Sequence, residues 1–348
     1  MKLVARAALV LATLFPLGLP ATGAPDASAA GGTWSIQPVR ESGMVDLQMR
    51  RRSRHSNWSS GNTVPISSLD GISPDMLRAG EGPVRFEMRR DAGVFRFEGS
   101  FHGGEGAGHF TFAPDANYVA EMGKLGYSGL SDDQLFAMAI HDVSRSFVRE
   151  LSGLGYTRVA LDDLVAMRIH GATPEFIREL AAFGYSRLPV DDLVAFRIHG
   201  ATPEYIRAMS ALGLSGLSAD DLVAMRIHGV TPEFVKAFHD LGYRDLRGDD
   251  LVAMRIHGAS EGWVRDLASL GYRQVAPDDL VAMRIHGVTP DFIRELKSLG
   301  YPHVAVDDLV AMRIHHVTGD FIRRVEARRT ERPSPDELVD MRIHGNED

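Results

Sequence analysis

The residues of this chain best suited to chemistry are an aspartate, an arginine and a histidine that recur together in the segment DDLVAMRIHG, 162–171. The segment returns unchanged at 220–229, 249–258 and 278–287, and with one residue altered at 191–200 and 307–316. Imidazole and carboxylate groups bind metal ions or exchange protons near neutral pH, and a guanidinium binds anions through five donors. The repetition therefore indicates either a repeated binding surface or a repeated structural contact.

The histidines do not have the spacing of a metal site. Asp163 and His170 fall on one side of a helix, but two turns separate them by about 10 Å. Stacked helices lie about 8–10 Å apart, whereas a zinc ion needs its ligands at about 2 Å. We therefore predict no metal or other cofactor. A stripe that responds to pH or to metal stays an alternative, and it would consist of His170, His199, His228, His257, His286 and His315.

The arginine holds an unusual position. On a helical wheel the apolar residues of the segment, Ile169 among them, form a wide arc, and Arg168 falls inside it. We predict that this guanidinium binds helix-end carbonyls or carboxylates of the neighbouring repeat, such as the equivalents of Asp162 or Glu175. If the pair is buried, removing one arginine should cost roughly 3–5 kcal/mol. The predicted inter-repeat ladder consists of Arg168, Arg197, Arg226, Arg255, Arg284 and Arg313.

These residues belong to a repeat of fixed length, because a histidine returns at the same interval all the way from His141 through His170 and its equivalents to His344. Each unit contains two helix signals. Thr173 and Pro174 are typical of a helix start, Gly184 of its end, and Gly171 of the end of the second helix. The histidine just before Gly171 can bond helix-end carbonyls. The pattern predicts an α-solenoid of eight two-helix repeats over residues 114–348.

A small antiparallel β module precedes the repeats, over residues 30–113. VRFEMRRDAGVFRFEGSF, 84–101, alternates apolar and polar residues around a turn, and MVDLQMR, 44–50, alternates as well. We predict three to five strands, with a loop over residues 57–75 that contains one short helix near Pro74 to Leu77. The predicted fold class is therefore α+β and mostly α.

The N-terminal segment 1–29 resembles a signal peptide, with Lys2 and Arg6 before the apolar segment AALVLATLFPLGLP and cleavage expected after Ala29. We expect no transmembrane segment in the mature chain, and a periplasmic or secreted location. The formal net charge is −8, and the excess of acids lies in the C-terminal two-thirds. This distribution argues against a nucleic acid as the partner.

Motifs of catalysis are missing from the sequence: it has no HExxH, no phosphate-binding loop, no GxSxG and no cysteine. We therefore predict that the protein is not an enzyme. A hydrolase with its site between the β module and the first repeats stays a second alternative.

The segment MRIHGVTPDFIRELKSLGY, 283–301, resembles a helical repeat of bacterial envelope proteins. The repeat occurs in C-terminal extensions of membrane metallopeptidases related to the β-lactam-sensing antirepressors, and the β module resembles the segment that accompanies it there. The peptidase domain and its zinc motif are absent from this sequence. The resemblance thus implies a non-enzymatic module that senses or binds a protein or envelope component, which agrees with the scaffold predicted from the repeats.

Overall fold

The computed structural model describes residues 30–39, 43–52 and 57–345. The predicted signal peptide lies outside the described residues. The chain divides into two compact units: the first ends at Ala113, and the second begins at Pro114 and includes Arg90–Ala92. About half of the described residues are helical, and the helices follow an antiparallel sheet. The predicted class, α+β and mostly α, is confirmed.

The first unit is built on one sheet of six strands in the order β3-β2-β1-β6-β5-β4. Its core is aromatic: the rings of Phe86 and Phe97 stack 4.4 Å apart, and Trp34 packs edge-on against Phe86. The strands are β1 Ala30–Pro38, β2 Met44–Arg52, β3 Asn57–Pro65, β4 Gly82–Arg90, β5 Gly93–His102 and β6 Glu105–Pro114, and the helix α1 is Pro74–Ala79.

One strand was not expected. Residues 57–65, predicted as part of a loop, form β3 and pair with β2 along its whole length, for example Val64 with Val45. The prediction was wrong because β3 lies at the edge of the sheet, where polar residues and glycine are tolerated. The short helix predicted near Pro74 is present as α1.

The described part of the second unit contains sixteen helices in eight pairs, one pair for each repeat. We call the even-numbered members the first helices and the odd-numbered members the second helices. Their bounds are α2 Ala116–Lys124, α3 Asp132–Ile140, α4 Arg145–Gly153, α5 Leu161–His170, α6 Pro174–Ala181, α7 Val190–His199, α8 Pro203–Ala211, α9 Ala219–Ile227, α10 Pro232–Asp240, α11 Gly248–Ile256, α12 Glu261–Ser269, α13 Pro277–Ile285, α14 Pro290–Ser298, α15 Val306–Ile314, α16 Gly319–Glu326 and α17 Pro335–His344.

The helix ends follow from the residues at them. The Thr173 hydroxyl accepts a hydrogen bond from the backbone N–H of Phe176, and Pro174 occupies the first helical position of α6. Gly171 ends α5 in the left-handed region, with φ of 74°. Asp162 and Asp163 lie in the first turn of α5, just inside its start, where their charge suits the positive end of the helix dipole.

Neighbouring repeats are joined through buried side chains and through tyrosines. Leu164 and Met167 are fully buried on the second helix, as is Leu180 on the first. The hydroxyl of Tyr156 donates to the Leu188 carbonyl at 2.8 Å, and the same bond, 32 residues forward, recurs in other repeats. The tyrosines that make it are Tyr127, Tyr156, Tyr185, Tyr272 and Tyr301.

Candidate binding surface of the repeat unit

The second helix turns one apolar residue outward. Leu164 and Met167 are buried, whereas Ile169, the residue after the arginine, is 54% exposed. The helical wheel placed Ile169 with the core residues, and this was wrong. The buried contacts of α5 are centred on Leu164 and Met167, so Ile169, about 140° away from Leu164 on the wheel, lies beyond the edge of the core.

This exposed isoleucine recurs in seven consecutive repeats. A single exposed isoleucine is ordinary on a protein surface, but a row in register on stacked helices forms an apolar patch, which marks a site of interaction. We call this row the isoleucine stripe, and its members, between 46% and 54% exposed, are Ile169, Ile198, Ile227, Ile256, Ile285, Ile314 and Ile343.

The arginines beside the stripe bind the end of the preceding second helix. In Arg226 the Nε group donates to the backbone carbonyl of His199 at 3.2 Å. Carbonyls in the last turn of a helix have no partner within the helix and carry its negative end, so a guanidinium is a suitable donor to them. The same bond, 27 residues back in the chain, is made by Arg168, Arg197, Arg226 and Arg284.

Each arginine also lies over an aromatic ring that belongs to the first helix of its own repeat. The guanidinium carbon of Arg226 is 4.8 Å from the ring centre of Tyr205, which is within the range of a cation–π contact. Its counterparts, at 4.8–5.3 Å, are Arg168 on Phe147, Arg197 on Phe176, Arg255 on Phe234, Arg284 on Trp263, Arg313 on Phe292 and Arg342 on Phe321.

These partners differ in part from those expected. Two kinds of partner were predicted, helix-end carbonyls and the equivalents of Asp162 or Glu175. The arginines donate to helix-end carbonyls. A carboxylate takes part only at the first of them, where Asp142 replaces the stop glycine and its Oδ2 lies 2.8 Å from Arg168. Arg313 keeps the ring contact, while its Nε atom is buried without a hydrogen bond.

The stop glycine makes room for this contact. We call the glycine that follows the histidine at the end of a second helix the stop glycine. A Cβ atom built on Gly200 would lie 3.0 Å from the Nη2 atom of Arg226, and at Gly171, Gly229, Gly258 and Gly287 it would lie 3.1–3.4 Å from the next arginine. The glycine thus provides both the left-handed backbone at the helix end and the space into which the guanidinium fits. The contact therefore joins two consecutive copies of the segment RIHG: the arginine of one copy binds at the histidine and the glycine of the copy before it.

The histidines contribute to that contact through their backbone. Their side chains are exposed at His170, His228, His257 and His286 and half-exposed at His199 and His315. In the last repeat the imidazole of His344 bonds the Asp340 carbonyl at 2.9 Å, as expected for a histidine at a helix end. Among the described residues, no three histidine or acidic side chains are grouped so that they could hold a metal ion.

Carboxylates of neighbouring repeats approach each other at the opposite ends of the second helices. Burial and then the carboxylate of Asp220 raise the pKa of Asp192 above its ordinary value. Burial likewise raises the pKa of Asp308, followed by the charge of Asp336, which is within hydrogen-bonding reach. At these two places, acids in the first turns of consecutive second helices repel each other.

This repulsion predicts a pH-dependent gain in stability for Asp308→Asn. The folded chain keeps the Asp308 proton to a higher pH than the unfolded chain, whose aspartate has the ordinary pKa of 3.8. Stability therefore falls as the pH rises from 3.8 through the raised pKa, and the loss is complete above it. We expect the variant to gain up to about 0.5 kcal/mol in free energy of unfolding at pH 7 and nothing at pH 3, as measured by urea melts. An equal gain in Asp266→Asn, on the exposed face of α12, would attribute the effect to net charge and contradict the prediction.

Two cavities among the described residues lack the side chains of a catalytic set. One cavity of about 220 Å³ is lined by Ser152, Tyr127 and Tyr156 among others, and one of about 190 Å³ by Ser35 and Gln48 among others, without a histidine or an acid in either lining. The alternative of a hydrolytic site between the β module and the first repeats stays untested. In the part of the chain that the structure describes, no helix has both the length and the apolar character needed to cross a bilayer.

No family model matches the chain, and no curated protein matches it. The resemblance to the envelope repeat thus stays a prediction, as do the signal peptide and the location. What the described residues do provide is a face of the second helices with an apolar row that the core does not use.

Proposed function

We propose that the protein is a non-enzymatic scaffold that binds a protein or another envelope component through the exposed face of its second helices. The observation that carries the proposal is the isoleucine stripe. Each member of the stripe could be polar at no cost to the core, since the buried contacts are made by Leu164, Met167 and their equivalents. A row of seven apolar side chains in contact with water is costly unless a partner covers it.

The packing of the repeats favours the second helices over the first helices as the binding surface. Consecutive second helices pack more closely than consecutive first helices. An array that is tighter on one side curves toward that side, and solenoids bind extended partners on their concave surfaces. An extracytoplasmic location, with removal of the N-terminal segment 1–29, is part of the proposal and rests on the sequence alone.

The first helices carry the contrasting surface. Their outward residues are mostly charged and pair among themselves along the helix or with the next repeat, as Arg178 does with Glu150 at 2.7 Å and Glu175 at 3.1 Å. Such exposed pairs are typical of a solvated face. The first helices are therefore the natural site for control substitutions.

The double variant Ile256→Gln with Ile285→Gln is expected to lose most of the partner. Covering a half-exposed isoleucine stabilises a complex by about 1 kcal/mol, so two substitutions should weaken binding by about 30-fold. The measurement is capture of the partner from an envelope extract on the immobilised mature chain, followed by titration of the captured species. Because both residues are exposed, the fold should be unchanged in urea melts.

The matched control is Ser269→Gln with Ser298→Gln. These serines are exposed and end α12 and α14, the first helices that follow α11 and α13 in the chain, so the control introduces the same residue at the same helix position on the other side. Capture that is insensitive to the isoleucine variant, or equally reduced by the serine variant, would show that the stripe is not the binding surface.

A further inference from the structure

The exposed face of each second helix carries three kinds of side chain in a fixed order. Asp162 is exposed in the first turn, Val165 and Ala166 are half-exposed in the middle, and Ile169 is exposed in the last turn. On the helical wheel these four residues fall within about 100° of one another. Asp162 and Ile169 are about 10 Å apart along the helix axis.

Stacking turns this order into parallel rows. Because every repeat has the same length, the isoleucine stripe runs along one edge of the face, and the row of acids in the first turns runs along the other. We call the latter the acidic row, and its members are Asp162, Asp163, Asp191, Asp192, Asp220, Asp221, Asp249, Asp250, Asp278, Asp279, Asp307, Asp308, Asp336 and Glu337. Valines and alanines equivalent to Val165 and Ala166 lie between them.

Some members of the acidic row are already bonded. Arg247 pairs with Asp249 and Asp250. The carboxylates of Asp221 and Glu337 accept backbone N–H groups at the starts of their own helices. Elsewhere, the groups facing Asp192 and Asp308 are carboxylates of the next repeat, and both aspartates respond with a raised pKa. A face with an apolar stripe and a parallel row of negative charge is complementary to a chain that carries apolar residues on one side and cations on the other.

The backbone conformation of the partner chain can be inferred from the hydrogen-bonding groups and the repeat spacing of the face. Backbone groups within the second helices are bonded inside the helices, so the face has no free sheet edge to which a β-strand could add. The repeats recur at the spacing of packed helices, about 8–10 Å. A polyproline II segment returns to the same side every three residues, or about 9.3 Å, and leaves its own backbone solvated.

We propose that the partner is a basic peptide segment in the polyproline II conformation, which lies along the second helices between the two rows. An apolar residue at every third position contacts one member of the isoleucine stripe per repeat, and lysines or arginines on the other side reach the acidic row. This inference rests on the proposed function and adds the chemical class of the ligand to it.

The test uses three synthetic peptides, titrated against the mature chain by fluorescence anisotropy. The first repeats Leu-Lys-Pro six times, the second repeats Leu-Glu-Pro six times, and the third repeats Leu-Lys-Pro-Ser at the same length, which shifts the apolar period from three to four. We expect the first peptide to bind at least 30-fold more tightly than the second and at least tenfold more tightly than the third. Its affinity should fall as salt is added.

Two variants locate the binding on the face. Ile256→Gln with Ile285→Gln and Asp278→Asn with Asp307→Asn should each weaken the first peptide by at least tenfold. Ser269→Gln with Ser298→Gln should change its affinity by less than twofold. Urea melts of each variant separate loss of binding from loss of fold.

The inference is overturned if the lysine and glutamate peptides bind equally, if the three-residue and four-residue periods bind equally, or if either pair of face substitutions leaves binding unchanged. Absence of binding by all three peptides also overturns it. The proposed function stands in that case if an envelope component is still captured through the isoleucine stripe, and it fails with the inference if nothing is captured there.

Discussion

Replacing Arg226 with methionine is expected to lower the free energy of unfolding by about 2–4 kcal/mol. The substitution removes the bond from Nε to the His199 carbonyl and the cation–π contact with Tyr205. Methionine keeps much of the apolar volume over the ring, so the change reports on the polar contacts. The expected cost is below the roughly 3–5 kcal/mol of a broken buried ion pair, because Arg226 is half-buried and its partner is a carbonyl group.

Arg273→Met provides the control for this measurement. Arg273 is exposed in the loop between α12 and α13, where a substitution usually changes stability by less than about 0.5 kcal/mol. Urea melts of the two variants, followed by circular dichroism, give the comparison. If Arg226→Met is as stable as Arg273→Met, the arginine contacts do not hold the repeats together.

The second large effect is expected at the stop glycine. Gly200→Ala should lower the free energy of unfolding by about 2–3 kcal/mol, of which about 1–2 kcal/mol comes from a side chain in the left-handed region. Gly200 has φ of 73°, and the new Cβ atom would also lie 3.0 Å from the guanidinium of Arg226. The guanidinium must then shift by a few tenths of an ångström, which strains its bond to the His199 carbonyl.

Gly213→Ala separates the two causes. Gly213 has φ of 86° and no atom within 4 Å of a Cβ atom built on it, so its substitution carries the backbone cost without the collision. Urea melts should show the larger loss in Gly200→Ala. In an Arg226→Met background the difference between the two glycine variants should shrink, because the group that collides is gone. If the difference between the two glycine variants is the same with and without Arg226, the glycine and the arginine act independently.

Much of the repeat fold was readable from the sequence because the signals are local and occur eight times. Threonine followed by proline marks the starts of four first helices, and glycine marks most helix ends, each within a few residues of the element itself. The strand at Asn57–Pro65 gave no such signal. Its position depends on hydrogen bonds to β2, a partner outside the segment, and its composition is that of a turn.

The candidate surface was harder to foresee. A helical wheel gives angles but not the direction of the core, and Ile169 belongs to the apolar arc until the buried residues around Leu164 are known. The arginines were singled out correctly as needing explanation, but no aromatic partner was expected for them. An aromatic residue stands at one constant spacing before each of these arginines, as Phe, Tyr or Trp, and that spacing was the signal available.

The links between repeats all have a fixed reach along the chain, 27 residues backward for the arginines and 32 forward for the tyrosines. Removing a stretch of exactly one repeat length from the interior of the array brings an arginine that makes the first bond to another histidine carbonyl, and a tyrosine that makes the second bond to another loop carbonyl of the same kind. The same holds when one repeat length is added. The length of this protein can therefore change by whole repeats without new contacts having to be found, so a binding surface of the kind proposed can be matched in steps to a longer or shorter partner.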